Sequence, residues 1–124
     1  MLDNADVMAT AAVRDIARAR AFYEGKLGLQ PQTSEAHMAS YRCGGGTLLI
    51  YESQFAGTGQ ATAATFGFRT GLVEAVRALE AKGVRFEHYD LPETVREGAI
   101  HRGHGRSVAW CKDPDGNILA LAEG

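Results

Sequence analysis

Lys26-Leu27-Gly28-Leu29 and Ala81-Lys82-Gly83-Val84 are the two stretches that decide the fold. In each, a segment with helical spacing of apolar residues runs into a glycine, and an apolar residue follows at once. The two glycines stand 55 positions apart. A glycine just past a helix supplies the left-handed backbone that stops it, so the next residue is free to open a strand. Ahead of Gly28, the residues Ile16, Ala19, Phe22, Tyr23 and Leu27 fall at helical spacing behind Asp15, which can cap the helix. Ahead of Gly83, the residues Leu72, Val73, Val76 and Leu79 share one helical face. The chain therefore holds one supersecondary unit twice.

Working outward, residues 7–13 read as a strand before the first helix, and residues 29–34, 38–43 and 47–52 as three strands after it. The last two are joined through Gly44-Gly45-Gly46, a run suited to a tight hairpin turn. The second unit repeats the order with strands over residues 64–70, 84–88, 108–111 and 117–122. Its final hairpin turns on Lys112-Asp113-Pro114-Asp115-Gly116, where proline presets φ and glycine accepts the left-handed position. The expected class is α+β, with two βαβββ modules over residues 1–56 and 57–124 and a Gly/Ala/Thr/Gln-rich connection over 53–63. Residues 90–106, broken by Pro92, Gly98, Gly103 and Gly105, read as a long irregular loop and a candidate lid.

At 124 residues the chain suffices to bury about two-thirds of its unfolded surface around one core. With 45% apolar and 23% charged residues it reads as globular, and its apolar runs are too short to span a bilayer. The start, Met1-Leu2-Asp3-Asn4-Ala5-Asp6, is acidic where a secretory signal is basic, which points to the cytoplasm. Thirteen basic residues interspersed with fifteen acidic ones argue against nucleic acid as a partner. Cys43 and Cys111, with no C-x-x-C around either, read as buried free thiols.

Two such modules, a helix carrying Ala21-Phe22-Tyr23 ahead of Leu27-Gly28-Leu29, and the terminal Asp113-Pro114-Asp115-Gly116-Asn117 turn together resemble the vicinal oxygen chelate superfamily. That superfamily holds lactoylglutathione lyases, extradiol dioxygenases, fosfomycin resistance enzymes and bleomycin-binding proteins. The resemblance covers nearly the whole chain. It implies curved mixed sheets around a cavity, pairing in a homodimer, and, in metal-using members, four inward ligands, commonly His, Glu or Gln. Counting from the matched motifs, the resemblance places three of those ligand positions at Met8, Thr65 and Ala120, and the other near Ile50 or Glu52. Methionine, threonine and alanine are poor ligands for a divalent ion. No metal and no other cofactor is therefore expected.

Several residues could still carry chemistry. His101 and His104, spaced H-x-x-H in a Gly-rich loop, read as solvated side chains, as acid–base groups over a cavity, or, with His88 or Glu52, as an unfamiliar metal site. Glu52 shares strand alternation with Leu48 and Ile50. It reads either as a general base, if that face lines the cavity, or as a strand-end carboxylate in solvent. Tyr41, Tyr51, Phe66, Phe68 and Trp110 read as core first and as pocket aromatics second, and Trp110, on a strand that the resemblance places at the cavity, is the candidate wall. Arg69, in alternation with Thr65 and Gly67, points either inward toward an anionic ligand or out to solvent.

Three functions remain open on these residues. One is a metal-free protein that binds, and by resemblance sequesters, a small organic molecule. The second is a lyase, isomerase or dioxygenase-type enzyme using Glu52, His101 and His104. The third is an interaction module with a filled cavity.

Overall fold

A computed structural model of the chain describes residue 3 and residues 8–124. Val7, the expected start of the first strand, lies outside the described residues, as does the acidic start apart from Asp3. The elements run β1 (Ala9–Val13), α1 (Ile16–Arg20), a π-helical continuation (Ala21–Lys26), β2 (Pro31–Ser34), β3 (Met38–Cys43) and β4 (Gly46–Glu52). Then follow β5 (Thr62–Phe68), α2 (Leu72–Ala81), β6 (Phe86–Glu87), β7 (Val95–Glu97), β8 (Ile100–Gly103), β9 (Arg106–Lys112) and β10 (Ile118–Glu123). The first sheet has the order β1-β4-β3-β2 and the second β5-β10-β9-β8-β7, with β6 also on the outer edge of β9. β1–β4 and β5–β10 are the parallel pairs and the others are antiparallel, so each sheet is mixed. No helix among the described residues is long and apolar enough to cross a membrane.

Local chemistry accounts for the first module. Asp15 sits in extended backbone, and its Oδ1 accepts the N–H groups of Ala17 (2.9 Å) and Arg18 (3.2 Å), which caps α1. A second carboxylate serves the same helix end, since Glu52 Oε2 accepts the Ile16 N–H at 2.8 Å. The helix widens at its C-terminal half, where the Leu27 N–H bonds to Phe22 O, five residues back. Gly28 then takes φ 74° and Gly83, after α2, φ 88°, the left-handed stops that their positions predict.

Strand alternation sorts each sheet into two faces. Ala11, Val13, Leu48, Ile50, Ala39 and Tyr41 join Ala19, Phe22 and Tyr23 of the first helix in the core. Leu119, Leu121, Ala109 and Cys111 join Leu72 and Val76 in the same cluster, so the two modules share one core. Burial pushes the Cys111 thiol up to about 11. Between the sheets, Arg14 donates to Ala56 O at 3.0 Å. Gly57 has φ 83°, and a Cβ there would lie 3.1 Å from Asp115 O, so a side chain would meet both a left-handed backbone and a tight approach to the last turn.

The stretch expected to be a long irregular loop is largely ordered. Residues 95–103 form the β7–β8 hairpin, and His104-Gly105, with φ 54° and 73°, make a two-residue turn into β9 that fits type I′ geometry. The candidate lid over 90–106 is corrected to a sheet edge preceded by a short connection. The glycines that break periodicity there serve turns and close approaches, as at Gly103, where a Cβ would meet Glu93 O at 2.6 Å.

The closing turn of the second module is bound to the first. Asp113 is buried, and its four acceptor positions are filled: Oδ1 by the N–H groups of Asp115 (2.9 Å) and Asn117 (2.8 Å), Oδ2 by Asn117 Nδ2 (2.7 Å) and by the Tyr23 hydroxyl (2.9 Å). Asn117 Nδ2 also donates to Ala12 O, and Arg18 donates to Asp115 Oδ1 at 2.7 Å. Burial and then the Asp113 carboxylate raise the Tyr23 phenol well above its ordinary range, so it donates at any physiological pH.

Tyr23→Phe removes the hydroxyl that donates to Asp113 Oδ2 and is expected to lower unfolding free energy by about 1.5–3 kcal/mol. Asp113→Ala, which also strands two backbone N–H groups, is expected to cost more. Urea midpoints unchanged in both variants would show that the turn does not join the modules. Glu52 is held below the ordinary carboxylate range, first by the Ile16 N–H and then by His37, whose Nδ1 lies 2.6 Å away. A lowered folded pKa gives stability that is present above the unfolded value and lost as pH falls through the folded one. Melting curves of Glu52→Gln and wild type are thus expected to differ near neutral pH and to converge on acidification. A difference independent of pH would assign the effect to packing instead.

Candidate ligand-binding site

The faces turned away from the helices carry the candidate site. On the second sheet, cross-strand pairing sets Thr65 beside Ala120 and Ala120 beside Trp110, one row across β5, β10 and β9. The next row joins Gly67, Ala122, Val108, His101 and Arg96. Trp110 is half-buried and opens onto a groove of about 550 Å³ walled by Tyr89, Leu91, Ile118, Lys112 and Thr62. Lys112, two positions along β9 from Trp110, lies 3.6 Å from Glu87 and puts a cation at the groove.

Three rings shape this wall. Tyr89 meets Trp110 edge to face, with centroids 5.3 Å apart and planes at 74°, and His101 meets it likewise at 5.0 Å and 77°. His101 is 2% exposed. Its Nε2 accepts the backbone N–H of Tyr89 at 3.0 Å, which leaves Nδ1 to carry the proton toward Val108 O at 3.3 Å. Two engaged nitrogens describe a neutral imidazole built into the wall.

The other expected site residues are dispersed. His104 projects from its turn, largely exposed, with Glu93 3.9 Å away, and His88 is exposed. Glu52 lies in the first sheet on the face shared with Leu48 and Ile50, which is the core face and not the open one. Its carboxylate is lowered rather than raised in pKa, and it belongs to a different sheet from His101. Arg69 falls past the end of β5 and is exposed. Met8 precedes β1 and is half exposed, and Thr65 borders a second opening of about 440 Å³ between β5 and the β3–β4 turn. Tyr89, Leu91 and Ile118 were not among the candidates from sequence. The only signal for the first two was an apolar pair, Tyr89 and Leu91, inside a stretch that is otherwise polar.

The positions implied for metal ligands can be followed directly. Thr65 and Ala120 are neighbours, Ile50 is fully buried in the core, and Glu52 is committed to a helix end. Alanine and isoleucine side chains have no lone pair, and a divalent ion needs several N, O or thiolate donors at about 2.0–2.5 Å. These residues do not fit the group. Among the described residues, no three His, Cys, Asp or Glu side chains are placed to hold an ion together.

The chain is similar in structure to a lactoylglutathione lyase from Agrobacterium tumefaciens, with a TM-score of 0.72 at 20% identity over 98% of this chain and 94% of that one. It is similar to a bleomycin-binding protein crystallised with bleomycin, with a TM-score of 0.73 at 20% identity over 98% and 99% of the two chains. It is also similar to the fosfomycin resistance protein FosX from Listeria monocytogenes, with a TM-score of 0.69 at 17% identity over 98% and 93%. At such identities the likeness speaks for the fold. No curated protein matches the chain in sequence. The family described as Glyoxalase/Bleomycin resistance protein/Dioxygenase superfamily matches residues 7–121, and the chain belongs to that superfamily.

Proposed function

We propose that this protein binds a small, flat and largely apolar organic molecule in the Trp110 groove and sequesters it unchanged, without the metal centre that other members use. The observation that carries the reading is the groove itself. Trp110 and Tyr89 stand nearly perpendicular, so a planar guest can stack on one ring and meet the other edge-on, with Leu91 and Ile118 closing the apolar surface. Thr65 and Ala120, in the row that continues from Trp110, carry one hydroxyl and no charge. Lys112 at the rim suits a guest with an anionic or strongly polar edge. A protein of the same fold that binds bleomycin supports an organic ligand in this fold, and two unpaired thiols fit a cytoplasmic setting.

We also infer that two copies pair. The open face of the first sheet presents Met38 and Tyr51, cross-strand neighbours that are 36% and 39% exposed. A second copy laid on that face would cover them and complete a cavity from two shallow walls. Sedimentation equilibrium is expected to give twice the chain mass of 13.3 kDa, and a monomer at micromolar concentration would remove the partner from the reading.

Titration with bleomycin and a panel of planar aromatic compounds, followed by calorimetry, tests the ligand class. Trp110→Ala is expected to weaken the best ligand about thirtyfold, the loss of a central aromatic anchor worth about 2 kcal/mol. The bound compound should be recovered chemically intact. Affinity unaffected by the substitution in a folded variant would place the site elsewhere, and a changed compound would make the protein an enzyme.

A further inference from the structure

We propose that His101 is a positioning residue for the Trp110 groove and a proton-sensitive latch on its outer wall; this rests on the groove being the binding site. Tyr89 and Leu91 line the groove from the connection between β6 and β7. Among the described residues, the bond from the Tyr89 N–H to His101 Nε2 is the one backbone hydrogen bond that ties residues 88–94 to the sheet. The histidine is itself held from below by Val108 O and packs against both rings that form the wall. Acceptance at Nε2 requires its lone pair. A protonated imidazole has none there and presents an N–H to an N–H, so gaining a proton breaks the latch and repels the segment it held.

Few charged groups stand near the ring. Arg96 is the cross-strand partner of His101 on β7, and its guanidinium donates to Gly98 O. Farther along the same edge of β9, Glu87 on β6 stands opposite Trp110 and is engaged by Lys112. Val108 and Ala122 complete the row, and neither carries charge. His88 and His104 are exposed, and His104 lies 3.9 Å from Glu93. Because Nε2 must accept the Tyr89 N–H for the latch to hold, His101 keeps the wall closed in its unprotonated form and opens it on gaining a proton. The groove would take up its guest at neutral pH and give it up in acid.

Trp110 is the single tryptophan of the chain, so its fluorescence reports the wall without any ligand. The experiment is a titration of emission maximum and acrylamide quenching from about pH 8 to about pH 5, with far-UV circular dichroism to confirm that the protein stays folded. Wild type is expected to show a severalfold rise in quenching and a red shift on acidification. His101→Gln, whose amide oxygen can accept the Tyr89 N–H but cannot gain a proton in this range, is expected to stay closed throughout. His104→Gln should behave as wild type. A folded wild type with no transition, or a transition that survives in His101→Gln, would overturn the proposal. Should His101→Gln fail to fold, the Tyr89 amide resonance of the wild type decides: it must shift together with the His101 ring signals. Because no ligand is present, this result is independent of whether the groove binds bleomycin or any other compound.

Discussion

The buried carboxylate of Asp113 is the constraint on which the remainder of the structure depends. A carboxylate taken out of water is costly unless its lone pairs are met, and here all four are: two by backbone N–H groups of its own turn, one by the Asn117 amide and one by the Tyr23 hydroxyl. The first three shape the turn that ends β9 and begins β10. The last reaches across to the helix of the other module. Asn117 adds a bond to Ala12 O on β1, and Asp115 a charged contact to Arg18, so a turn of one module is seated on a strand and a helix of its twin.

That seating sets which faces are available for function. With the helix-facing sides of both sheets joined in one core, alternate residues of each strand lie in the interior: Ala11 and Val13 on β1, Tyr41 on β3, Leu48 and Ile50 on β4, Ala109 and Cys111 on β9, and Leu119 and Leu121 on β10. The intervening residues point the other way, and on the second sheet these include Trp110, Ala120 and Thr65. Glu52 is caught by the same geometry. Its parity puts it with Leu48 and Ile50, and at the end of β4 that side meets the start of α1, where a carboxylate is worth more to an unpaired N–H than to a ligand. His101, paired with Val108, belongs to the open face, but there it serves the wall rather than facing a guest with a free nitrogen.

The second module departs from the first where it matters for binding. Both have a parallel pair at one edge and antiparallel strands beyond, yet in the second the partner of β9 is divided between β6 and β8, and the β7–β8 hairpin is added. The divided edge leaves residues 88–94 to cross the open face. That crossing brings Tyr89 and Leu91 onto Trp110, which is why one module has an aromatic groove and the other an open face of Met38 and Tyr51.

The modules and their order were legible in the amino-acid sequence because they rest on local rules. Asp15 as a cap, Gly28 and Gly83 as stops, the glycine run after Cys43 and the Asp113-Pro114-Asp115-Gly116 turn each act over a few residues, and periodicity marks the rest. Trp110 came into view through the resemblance, which places its strand at the cavity. The β7–β8 hairpin did not, since its short strands have no apolar period and form only because the free edge of β9 offers hydrogen bonds. Nor could the roles of Glu52 and His101 be read from their neighbours. Whether a carboxylate is a base or a helix cap, and whether an imidazole is a free acid or a neutral brace, depends on which backbone N–H lies within 3 Å or so of it. For Glu52 that donor is Ile16, 36 positions away, and for His101 it is Tyr89, 12 positions away. The sequence determined the parts and their parity; only the tertiary structure, by bringing distant backbone donors to these two side chains, decided what the side chains do.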